Sequence, residues 1–156
     1  MRTMFGWFKK KKDEEPSFDP TNLTLKSLGQ GYLVDYNFKT YVVEKIYTYD
    51  WGEDFYTHEF KLVAGDDIMY LHIEEDDETE YTITRPVNIL QIDEKLPHQI
   101  KMFEKPFDKL TWNNRSYKMQ SESAGYLNEK GRDNWEAFIC WDYMATDSDE
   151  ILSVEQ

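Results

Sequence analysis

The side chains able to do chemistry are few and scattered. Every residue from Glu74 to Glu80 except Thr79 is acidic, a density that invites a calcium reading. The run lacks the glycine and the alternating ligand positions of an EF-hand loop, so it reads as a solvated turn. Asp147, Asp149 and Glu150 form a thinner acidic group that reads the same way. The three histidines, His58, His72 and His98, include no pair at the i, i+4 spacing of a helical zinc site. His58 and His72 flank one expected hairpin and read as a surface pair. Cys140 is the single cysteine, so no internal disulfide is available. It alternates with Ile139 and Trp141, has no base or cation beside it to favour the thiolate, and reads as packed structure. Neither a nucleophile elbow nor a phosphate-cradling Gly-rich loop is present. No catalytic residue, metal ligand or cofactor is therefore assigned, and the chain reads as non-enzymatic.

The remaining signal is aromatic. The chain holds 5 Trp, 11 Tyr and 9 Phe. Trp51 falls on an expected loop beside Glu53, and Tyr36 and Trp112 occupy equivalent places in an internal repeat described below. Two readings stand for these four residues. They fill a β core, or they form a ligand or partner surface, where aromatics with a polar tip are favoured.

Charge narrows the partners. The net charge is −13, yet residues 1–12 carry Arg2, Lys9, Lys10, Lys11 and Lys12 with no acid, so the rest of the chain is more acidic still. Such a body repels a phosphate backbone, which argues against nucleic acid as a partner. Residues 1–20 read as a flexible basic and aromatic tail, because the lysine run, Asp13-Glu14-Glu15, Pro16 and Pro20 all disfavour a packed element. Phe5, Trp7 and Phe8 beside Lys9 to Lys12 are candidates for peripheral contact with an anionic membrane surface, each lysine contributing ~1 kcal/mol there. The aromatics precede the lysines, the reverse of a signal peptide, and no apolar run approaches the ~20 residues of a membrane span. The expected location is the cytoplasm, at or near the inner face of the membrane.

Residues 23–156 read as one β domain. Tyr36 to Val43 aligns with Trp112 to Met119: aromatic, Asn, basic, hydroxyl and Tyr recur in order. Ala64-Gly65-Asp66 through Glu74 aligns with Ala145-Thr146-Asp147 through Glu155, and the second copy carries a few extra residues between the blocks. The repeat units span about 32–75 and 109–155. Asn37-Phe38 and Asn113-Asn114 read as tight turns, since Asn tolerates left-handed backbone. Lys39 to Tyr49 has strand composition but two poorly separated faces, which calls for a bulge or for cover on both sides. His58 to Val63 and Ile68 to Glu74 form a hairpin around Gly65, with Met69, Leu71 and Ile73 inward and Tyr70, His72 and Glu74 outward. Tyr81 to Thr84 and Val87 to Ile92 read as short strands, and Glu94 to Lys105 as the one helical segment, with Pro97 in its first turn. The expected fold is all-β and mainly antiparallel, a small barrel or sandwich of two duplicated four-strand units with at most one short helix. The last strand is expected to pair with the first-copy sheet and remove its edges.

Several short motifs then line up with a known family. In order they are Leu28-Gly29, Tyr41-Val42-Val43, Trp51-Gly52-Glu53, Leu62, Tyr70-Leu71 with its following acids, Tyr117, Tyr143 and Leu152-Ser153-Val154-Glu155. The chain from about Leu23 to Gln156 resembles the bacterial domain-of-unknown-function family 4178. The resemblance implies a β domain without catalytic residues. It also implies a gene context of phage-shock-protein-A-like, band-7-like or polyamine-synthesis proteins, and hence a role in membrane stress or envelope maintenance. The leading expectation is an interaction module for a partner protein. The alternative is a β-barrel that binds a small cation such as a polyamine, which aromatic faces and carboxylates suit.

Overall fold

A computed structural model of the chain describes residues 24–156. A single 3-10 turn, Leu25–Ser27, leads into β1 (Leu33–Tyr36), β2 (Lys39–Asp50), β3 (Tyr56–Ala64), β4 (Asp67–Glu75) and β5 (Thr79–Thr84). One helical turn, α1 (Ile89–Ile92), and a two-turn helix, α2 (Leu96–Phe103), follow. The chain then returns to strands with β6 (Lys109–Trp112), β7 (Arg115–Glu129), β8 (Glu136–Ala145) and β9 (Ile151–Glu155). All nine strands belong to one antiparallel sheet, in the order β5-β4-β3-β2-β7-β8-β9, with β1 added to β2 and β6 to β7. The all-β, antiparallel expectation holds, and the sheet curls into a half-barrel.

Local chemistry sets the two hairpins that start each half. Asn37 and Phe38 both have positive φ (48° and 61°), and so do Asn113 and Asn114 (48° and 60°). Two successive left-handed residues make the turn whose twist matches that of flanking strands. Just beyond each turn the long strand carries a bulge, between Val43 and Lys45 in β2 and between Met119 and Ser121 in β7. Of the two readings of Lys39 to Tyr49, the bulge is present, and it explains the mixed faces: Val43 and Ile46 lie opposite Leu62 and Phe60 on one side of the sheet. In each half the tyrosine after the turn donates its hydroxyl to an acid two hairpins further on. Tyr41 donates to Asp67 (2.7 Å), which also pairs with Lys39 (3.0 Å) and Arg85, and Tyr117 donates to Glu150, which also pairs with Arg115.

The long strands are shared. One edge of β2 pairs with β1 near its start and with β7 near its end, over Tyr47–Asp50 and Tyr126–Glu129. Likewise, β7 pairs with β6 near its start. Gly125 lies at this joint, where an added Cβ would stand 2.4 Å from the carbonyl oxygen of Asp50. Glycine is thus the residue that lets the two backbones approach.

The outer face of the curl carries two apolar cores. Tyr41, Val43, Phe60, Leu62, Met69 and Leu71 build the first, flanked by Leu28, Tyr32 and Tyr36. Tyr117, Trp141, Tyr143, Leu152 and Val154 build the second, which Leu96 and Ile100 of α2 cover.

Two expectations are corrected. Val87 to Ile92 is not a strand: Asn88 accepts from the amide of Leu90 (3.0 Å) and caps a helical turn over Ile89–Ile92. The last strand does not pair with the first-copy sheet. The halves join through β2 and β7 at the sheet's centre, which leaves β5 and β9 as its two ends.

Gly125→Ala is expected to lower unfolding free energy by about 2 kcal/mol, the scale of overpacking against backbone. Phe38→Gly is expected to raise it by up to about 1 kcal/mol, because it relieves a left-handed bulky residue whose side chain is fully exposed. Urea denaturation of both variants checks the pair.

Candidate functional site

Because the sheet curls, its inner face is shielded although much of it is polar. Register places two rows of side chains there. Tyr47, Glu59, His72 and Thr82 stand side by side across β2, β3, β4 and β5. Ser121, Asp142 and Ser153 stand side by side across β7, β8 and β9. Glu59 (1% exposed), His72 (2%) and Asp142 (7%) are all buried. This corrects the reading of Tyr70, His72 and Glu74 as an outward face. It also separates His58 from His72: His58 lies opposite Ile73 on the outer side, and His72 opposite Glu59 on the inner side. Burial holds the His58 pKa below the usual histidine value, with Glu75 acting in the other direction.

Asp142 is held from three sides. Its Oδ1 accepts from the Ser153 hydroxyl (2.5 Å) and the Cys140 thiol (3.4 Å), and its Oδ2 from the Ser121 hydroxyl (3.2 Å). Burial raises the carboxyl pKa, and the three donors pull against that rise. The Cys140 thiol is pushed up strongly, first by burial and then by Asp142 and Glu155. It is a buried donor to Asp142, and its chemistry is that of packed structure.

Next to these rows sits an aromatic group at the β2–β7 joint. Tyr49 stacks on Trp51 (centroids 5.8 Å apart, 11° between planes) and meets Phe138 (5.2 Å) and His72 (6.1 Å) edge-on. The Tyr49 hydroxyl donates to Glu59 (3.1 Å), and the Trp51 indole N–H donates to Thr57 (3.1 Å).

A cleft of about 260 Å³ opens between the two wings of the inner face. His72 and Glu74 from β4, Glu80 and Thr82 from β5, Ser121 and Asp142 line it, with Met144 and Ile151 as apolar wall. Among the described residues neither Lys nor Arg lines it. Glu74 and Glu80 face each other across the β4–β5 pair, so the dense acidic run folds back on itself and only its middle forms the turn. Among the described residues no group of three or more His, Cys, Asp or Glu side chains has the arrangement of a metal site.

The four sequence candidates do not converge. Trp51 is half-buried in the aromatic group, while Glu53 is exposed in the β2–β3 turn with left-handed backbone (φ 53°). Tyr36 packs beside the first core and Trp112 beside the second, at the opposite ends of β2 and β7 from the joint. Phe5, Trp7, Phe8 and Lys9 to Lys12 lie outside the described residues. The buried inner-face residues Glu59, His72, Asp142 and Ser153 escape sequence reasoning because strand alternation alone does not say that the second face is buried. Their signal was polar residues alternating within β-rich segments that carry apolar residues on both sides of the chain.

Among the described residues no helix is long and apolar enough to cross a membrane. No curated protein matches the chain, and no solved structure matches it. One family model does match, over residues 29–156, and it is described as a domain of unknown function. That match runs from the glycine before β1 through the end of β9 and takes in the whole curled sheet, so the chain belongs to the family of the domain of unknown function DUF4178.

Proposed function

We propose that the inner cleft binds a small organic cation, with a protonated polyamine as the fitting class. The observation that carries this reading is Asp142, a buried carboxylate facing Glu74 and Glu80 across a cleft with neither Lys nor Arg among its described lining residues. Carboxylates shielded from water attract an ammonium group far more strongly than exposed ones do. Met144 and Ile151 offer apolar surface to the methylenes between two amines. Interaction with a partner protein, at the envelope or elsewhere, is the second reading, favoured by the outer edges of β5 and β9, which pair with no other strand among the described residues. The matched turns and bulges support reading the two halves as copies of one four-strand unit.

Calorimetric titration with spermidine at about 150 mM salt, where exposed charges are screened beyond ~8 Å, tests the first reading. Asp142→Asn is expected to weaken binding at least tenfold, about 1.4 kcal/mol. Glu80→Gln, on an edge strand where the fold is not at risk, is expected to weaken it less. Equal heats from magnesium at matched ionic strength, or affinity unmoved by both variants, would reject the reading.

The sign of the pH response follows from the raised Asp142 pKa. The cation favours ionised Asp142, so affinity should rise with pH until that carboxyl is fully ionised, and binding below that point should release protons. Titrations in two buffers of different ionisation enthalpy measure the release. Without ligand the sign reverses. The folded state holds the Asp142 proton more tightly than the unfolded chain, so its contribution to stability falls as pH rises from ~3.9 through the folded pKa. Asp142→Asn should remove that part of the pH dependence in urea unfolding curves.

A further inference from the structure

The two ends of the sheet face one another across a second cleft. About 500 Å³ in volume, it is lined by Thr82 to Thr84 of β5 with Arg85 and Val87 just beyond, by Asp149 to Ser153 at the start of β9, and by Trp112; the Arg85 guanidinium is paired with Asp67. Among the described residues β5 pairs only with β4, and β9 only with β8, so each strand turns one edge of backbone amides and carbonyls towards the gap. Natural sheets blunt such edges with lysine, proline or bulges. Neither Thr79–Thr84 nor Ile151–Glu155 contains Lys or Pro, and both strands pair in unbroken register. Tyr81, Ile83 and Ile151 are exposed.

We infer that β5 accepts an extended segment of a partner polypeptide as an added strand in this gap. The two faces of the gap specify its side chains. On the outer side it meets Tyr81 and Ile83, which lie opposite Ile73 and Leu71 of the first core, with Trp112 across the cleft. On the inner side it meets Glu80 and Thr82, with Glu74 beside Glu80. A strand alternates its side chains between faces, so the fitting segment alternates apolar and basic residues. A second copy of this chain is a poor occupant. Pairing β5 with β5 would bring two Glu80 carboxylates to one inner face, in a molecule of net charge −13.

The test uses the full chain and a synthetic seven-residue peptide of alternating valine and lysine. Hydrogen exchange is expected to slow at least tenfold at alternate amides of Thr79–Thr84, with matching shifts in amide NMR spectra. A peptide of the same sequence with alternate backbone nitrogens methylated keeps the charge but lacks the ladder donors, and is expected to bind at least tenfold more weakly. Ile83→Lys, an exposed change, is expected to weaken binding by a similar factor. Equal binding of the methylated peptide would reduce the effect to charge attraction and overturn the inference. So would protection confined to strands other than β5, or sedimentation showing concentration-dependent pairing of the protein through this edge.

Discussion

Everything in this molecule hangs on the ladder between Tyr47–Asp50 and Tyr126–Glu129. It is the one strand pairing among the described residues that joins the two halves of the sheet. Hydrogen bonds in such a ladder contribute modestly one by one, but an unmade buried one is costly. The joint needs two long strands to run past each other closely, which is why a glycine stands opposite the carbonyl of Asp50. The aromatic group of Tyr49, Trp51 and Phe138 packs beside it on the inner side. The angle at which the wings meet, and so the width of the inner cleft, is a property of this short joint and its aromatic packing.

That geometry makes the sheet's two faces unlike each other for a physical reason. The outer face has room for cover, from the segment before β1 on one wing and from α2 on the other, and it takes the apolar side chains. Among the described residues the inner face carries no such helix or segment. Polar groups withdrawn from water there need partners, as Asp142 finds in Ser121, Ser153 and Cys140. The ionisation of a carboxyl kept in this way is set by burial on one side and its three donors on the other.

Sequence reasoning reached the parts governed by local chemistry. The Asn-led turns, the hairpin at Gly65, the bulge in β2 and the helix around Pro97 all rest on backbone preferences within a few residues. Val87 to Ile92 failed because its apolar composition suits a strand or a helix equally, and the Asn88 cap decided for the helix. The site was harder. Alternation correctly separated Glu59 and His72 from Phe60 and Leu71, but the fate of that second face depends on the curl. Curvature comes from pairings between residues far apart in the chain, which no local pattern reports. The expected closure failed for the same kind of reason: it turned on which edges of β2 and β7 meet.

The paired bulges carry a consequence for how such a sheet tolerates change over evolutionary time. In a regular strand, gaining or losing one residue exchanges the two faces for everything beyond it. At Glu44 and Gln120 the ladder already holds one residue more than its partner strand. Loss of either residue leaves every other side chain on its present face. Each long strand thus contains one site where its length can drift while its inward and outward residues keep their places, a length buffer set between a rigid turn and the joint that holds the halves together.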